Sequence, residues 1–146
     1  MRFRFLLLAA LALSTAFAYG KEDPISQLFS ARSLKCHFDN GTSTMWPGSK
    51  PKTSAAHLGQ DVHFEAIDIK YQSARVIGNS GARDVKVFPA RAGLSFIEMA
   101  PDAVELTTVF PVRGKDRDFI AIDTRHVMAS GAAIGEQYYG SCQILK

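Results

Sequence analysis

Between Val62 and Phe110 apolar and polar residues alternate with a period close to two, and turn residues interrupt the alternation at short intervals. That pattern predicts strands joined by tight turns rather than helices. Val62, Phe64 and Ala66 share one phase and Ile67, Ile69 and Tyr71 the other. The slip at Ala66-Ile67 predicts a bulge, the usual device for bending a strand around a closed sheet. Ser73 to Ile77, Asp84 to Phe88, Leu94 to Met99 and Val104 to Phe110 continue the series, separated by Gly78-Asn79-Ser80-Gly81, Pro89 and Pro101-Asp102.

The same pattern extends in both directions. Leu34 to Phe38 reads as a first strand, Asp39-Asn40-Gly41 as a hairpin turn, and Thr42 to Trp46 as its return strand. Pro47 to Gln60, rich in Pro, Gly, Ser, Lys and Ala, reads as the longest loop. After a charged turn over Arg113 to Asp118 come strands over Phe119 to Val127 and Gln137 to Ile144, with Ser130 to Gly135 as the loop between them. The expected fold is all-β: an antiparallel meander of about eight to nine strands forming a small barrel or tight sandwich. Residues 34–146 would form that domain and 19–33 an N-terminal arm or a short helix, with Ile25, Leu28 and Phe29 spaced along one helical face.

Met1 to Ala18 departs from this grammar. Arg2 and Arg4 precede an apolar run of about a dozen residues that ends at Ala16-Phe17-Ala18, the layout of a cleaved signal peptide and short of a membrane span. The leader changes the charge balance, since the 17 Lys and Arg become 15 against 14 Asp and Glu once Arg2 and Arg4 are removed. A formal charge of +1 with no basic run argues against nucleic acid as a partner. The expected location is the periplasm or the outside of the cell, with no membrane span after cleavage. Two cysteines in such a compartment most simply form one disulfide. Cys36 and Cys142 fall on the first and last strands, so their bridge would make those strands neighbours. Asn40-Gly41-Thr42 is also a glycosylation sequon where the host has that machinery.

Motifs for catalysis are few. GxSxG, HExxH and a Gly-rich phosphate loop are absent. A zinc site from Asp61, His63 and His126 would need three separated residues to converge. The run Asp123-Thr124-Arg125-His126 is split by strand alternation, which points Asp123 and Arg125 to one face and His126 to the other. Glu98, between Ile97 and Met99, is either a buried carboxylate or a solvated one. The expectation is therefore a non-enzymatic binding protein with no metal or cofactor. Two sites present themselves. One is the barrel interior, where Phe64, Ile69, Phe96, Phe110 and Phe119 would line a cavity for a small apolar or amphipathic ligand. The other is the turn Asn79-Ser80-Gly81-Ala82-Arg83, an exposed tip suited to a secreted protein partner.

That tip, Ser80-Gly81-Ala82-Arg83, in a small secreted β-domain with cysteines on its first and last strands, resembles the loop of the membrane-bound and periplasmic C-type lysozyme inhibitors. Leu34-Lys35-Cys36 and Ser141-Cys142-Gln143 stand where that family's paired cysteines would. The resemblance implies a small antiparallel barrel that inserts the Ser80-Gly81 loop and a downstream basic residue, here Arg91, into the lysozyme cleft. Asn79 replaces a Gly of the family pattern and Asp84 an aromatic residue. Phe96-Ile97-Glu98, Thr107-Thr108-Val109-Phe110 and Arg125-His126 are also similar to segments of uncharacterised secreted proteobacterial β-barrel proteins, a similarity that implies no function.

Overall fold

The computed structural model describes residues 23–79 and 81–145. The leader, the start of the N-terminal arm and Ser80 lie outside the described residues. Eight antiparallel strands follow one another in sequence order: β1 (Leu34–Met45), β2 (Lys52–Asp68), β3 (Ser73–Gly78), β4 (Gly81–Ala90), β5 (Gly93–Ala100), β6 (Ala103–Arg113), β7 (Phe119–Ala129) and β8 (Ala132–Ile144). Each pairs with its neighbours, and β1 pairs with β8, so the meander closes into a barrel. Every strand is thus paired on both sides along part of its length, which limits the open edge, although β2 from Lys52 to Val62 pairs with β1 alone, its pairing with β3 beginning at His63. The disulfide Cys36–Cys142 sits at the seam, where the two cysteines are directly opposite and fully buried.

Three expectations about turns and loops fail. Asn40-Gly41 does not turn the chain, and Pro47 to Gln60 is not a long loop. Instead β1 runs on to Met45, and β2 begins at Lys52 opposite it. The Asn-Gly signal is used as a register shift between Phe38 and Gly41, which bends one long strand without reversing it. The lack of apolar alternation over Lys52 to Ala55 reflects a hairpin exposed on both faces, since all four residues are exposed. Such a stretch carries no burial pattern to read. Similarly, the turn before β8 is only Ser130-Gly131, because Ala129 pairs with Ala132. The bulge expected at Ala66-Ile67 is present: Ala66 has φ 50° and the β2–β3 register shifts between Glu65 and Asp68.

Inward positions follow the alternation. Cys36, Val62, Phe64, Val76, Val87, Leu94, Phe96, Val109, Phe119 and Ala121 form a continuous buried core. At one end the short helix α1 (Pro24–Ser30) caps the barrel with Leu28, which is completely buried. Arg113 reaches back over this end, stacking its guanidinium 3.6 Å from the Phe119 ring centre and donating to Gln27 Oε1. Phe64 and Phe96 stack across the middle with centroids 4.0 Å apart.

The seam is held at close quarters by glycine. A Cβ on Gly140 would lie 2.0 Å from the His37 carbonyl oxygen and 2.7 Å from the Phe38 ring. Gly41 meets Gln137 and the Tyr138 ring in the same way. Each glycine is covered by an aromatic ring from the facing strand, an arrangement that stabilises glycine in curved sheets. Gly140→Ala should therefore force the seam apart and cost on the order of 3 kcal/mol in urea unfolding. A change below about 0.5 kcal/mol would mean that the seam yields without loss.

Candidate mouth of the barrel

At the end opposite α1 the inward phase changes from apolar to charged. On β5 the inward series Leu94, Phe96 ends in Glu98; on β6, Val109 and Thr107 lead to Glu105; on β7, Ala121 and Asp123 lead to Arg125; on β8, Tyr138 leads to Glu136. Strand pairing places these residues side by side. Glu98 faces Glu105, Glu105 faces Arg125, and Arg125 faces Glu136. One layer deeper, Thr107 faces Asp123, which faces Tyr138.

The side chains are engaged with one another. Arg83 on β4 donates to Glu98. Arg125 Nε lies 3.7 Å from Glu105 Oε2. Thr107 Oγ1 donates to Asp123 Oδ1 at 2.6 Å, and Asp123 is only 3% exposed. Burial, joined by the negative charge of Asp123 and Glu98, raises the Glu105 carboxyl to about 7. Burial also raises Asp123 to about 6, against the opposing Thr107 hydrogen bond and Arg125 charge. The Tyr138 hydroxyl is pushed up by burial and by Glu136. Desolvation dominates in each case because the barrel wall replaces water around the charged form.

Glu98, Glu105, Asp123, Arg125 and Tyr138 line one wall of an open space of about 120 Å³, whose other wall is Leu58, Gln60, Val62 and Val76, with Asn79, Gly81 and Arg83 at the rim. Below it the interior is filled, since the gap beside Phe64 and Phe96 amounts to about 10 Å³. A space of the upper size, polar on one wall, admits several waters or one small molecule.

The residues expected at sites divide accordingly. Phe64, Phe96 and Phe119 are buried in the filled core beneath the mouth. Ile69 packs against that core from just beyond β2, and Phe110 is half-buried beside the β6–β7 register shift. Asn79, Gly81 and Arg83 reach the mouth, where Arg83 is tied to Glu98. Arg91 follows β4 at the end opposite Gly81, so the fold does not bring it to that tip. Glu98 is an inward carboxylate with 15% of its side chain exposed. His126 faces outward, as strand alternation requires, away from Asp123. His63 on β2 and His126 on β7 are separated by β1 and β8, and Asp61 is bound to Lys35 and His37 at 2.9 and 2.7 Å. Among the described residues no three His, Cys, Asp or Glu side chains converge as a metal site. The sequence reading missed Glu105, Glu136 and Thr107. Their signal was a charged or hydroxyl residue in the inward phase of β6 and β8.

Comparison with protein families, curated proteins and solved structures finds no match for this chain. No described helix is long and apolar enough to cross a membrane.

Proposed function

We propose that the protein is a secreted or periplasmic, non-enzymatic binding protein that holds a small amphipathic ligand in the mouth of its barrel. The observation that carries this reading is the change of the interior from filled and apolar to open and polar at one end. Small-molecule sites combine concavity, an apolar wall and a few convergent polar groups. Here Leu58, Val62 and Val76 supply the apolar wall, and Glu105, Asp123 and Tyr138 the polar one. A buried disulfide and the leader-like N-terminus favour export to an oxidising compartment.

Native mass spectrometry of the protein exported to such a compartment tests this directly. The expected result is an adduct mass lost on denaturation and absent from Leu58→Trp, which fills the space from a half-buried position. Bare masses for both proteins would remove the mouth as a ligand site. They would favour the second reading, a protein binder of the lysozyme-inhibitor kind acting through Asn79, Ser80, Gly81 and Arg83, to be tested by lysozyme inhibition. That reading draws support from the exposure of Asn79, Gly81 and Arg83 at the β3–β4 tip.

A further inference from the structure

Resting on the mouth as a ligand site, we propose that the ligand carries an organic cation, an ammonium or amidinium head, which seats against Glu105 and Asp123 in exchange for protons. Charge and geometry in the mouth both point this way. Among the described residues three carboxylates, Glu98, Glu105 and Asp123, line the space with two guanidiniums, those of Arg83 and Arg125, and Glu136, paired beside Arg125, adds its negative charge nearby. Neither cation is free for an anionic ligand. Arg83 is held by Glu98, and Arg125 stands between Glu105 and Glu136 in the strand register. An incoming carboxylate or phosphate would find its attraction already taken and would meet the surplus negative charge. A neutral ligand would leave that surplus in place.

Without a ligand the Glu105 and Asp123 carboxyls hold protons at unusually high pH, chiefly because burial disfavours their charged forms and, for Glu105, because Asp123 and Glu98 add negative charge. The groups facing this pair from the packed elements are Arg83 on β4, Glu98 on β5, Arg125 on β7, and Glu136 and Tyr138 on β8. Among the described residues β2 contributes Leu58, Gln60 and Val62 to the space, and these carry no charge. A cationic head delivers positive charge to the same carboxylates and so displaces the protons.

A bare metal ion fits less well. It needs its oxygens to converge on one point at about 2 to 2.6 Å, and no described cluster does so. An ammonium or amidinium instead distributes several N–H donors over carboxylates on different strands. The 120 Å³ space has room for such a head and a short alkyl stem against Leu58 and Val76.

The test uses three probes of matched shape, n-butylammonium, butyrate and 1-butanol, followed by amide NMR of the disulfide-bonded protein. Butylammonium should shift mouth resonances saturably, and its affinity should fall about tenfold or more between pH 7.5 and pH 5.5 as protons compete. Glu105→Gln should weaken butylammonium about tenfold and flatten the pH dependence, while butanol is unaffected. The neutral amide resembles the protonated carboxyl already present, so this variant is expected to fold. Butyrate or butanol binding in the mouth as tightly as butylammonium overturns the cationic head and leaves the mouth as a site. Butylammonium binding that ignores pH overturns the proton exchange. Saturable shifts from none of the probes overturn both the inference and the mouth itself.

Discussion

Replacing Cys36 and Cys142 together by alanine lowers the stability by about 4 to 5 kcal/mol, the largest effect expected of any substitution considered for this protein. The bridge spans a sequence separation of 106 and joins the first and last strands. Without it the unfolded chain regains the freedom of a loop that is nearly the whole domain. The native seam keeps its ladder, from Leu34 opposite Ile144 to Met45 opposite Ile134. The variant should therefore fold, with a urea midpoint lower by about 2 M at a typical slope of about 2 kcal/mol/M. A loss under about 1 kcal/mol would show that the ladder alone holds the ring closed. Since both sulfurs are fully buried, reductant should act on the native protein only slowly, through unfolding.

Stability falls as pH rises from about 4 to about 7, opposite to the usual behaviour of paired surface carboxylates. Glu105 is raised to about 7 and Asp123 to about 6, from ordinary values of 4.5 and 3.8. Within that window the folded protein holds protons that the unfolded chain has released, so the slope of unfolding free energy against pH is negative. Full ionisation of this coupled pair costs the fold on the order of 3 kcal/mol. Asp61 acts in the other direction. Its carboxyl is lowered by Lys35 and His37, and its contribution is lost only below the ordinary carboxylate range. Urea unfolding at pH 5 and pH 8 should show the protein more stable at pH 5. Glu105→Gln with Asp123→Asn should remove most of the difference, since the amide in place of the Asp123 carboxyl keeps an oxygen for the Thr107 hydroxyl. Stability that is level or rising between these pH values would mean that water reaches both carboxylates freely.

The mouth was partly readable in advance. Asp123 and Arg125 belong to one face by alternation alone, and the structure turns that face inward. What escaped notice was a coincidence across strands. Glu98, Glu105, Arg125 and Glu136 each end an inward series at the same level, yet they are separated by up to several turns of chain. A carboxylate in the inward phase of one strand has an ordinary explanation as a solvated strand end. Only the register shows Glu98, Glu105 and Arg125 meeting around one opening, with Glu136 paired beside Arg125.

Alternation of apolar residues and turn residues at short intervals determined that this chain is an antiparallel meander, because a period of two leaves each strand one face to bury. The positions of Cys36 and Cys142 near its ends determined where a bridge would lie if the meander closed. Tertiary structure decided the rest. Asn40-Gly41 became a bend instead of a turn, because β8 pairs alongside β1 past this point and holds it extended. It decided that the aromatic interior is filled, since Phe64 and Phe96 occupy each other's space. It decided, too, that ordinary carboxylates become proton-holding ones, because a pKa depends on the charges and the barrel wall around a group, and neighbouring strands set those.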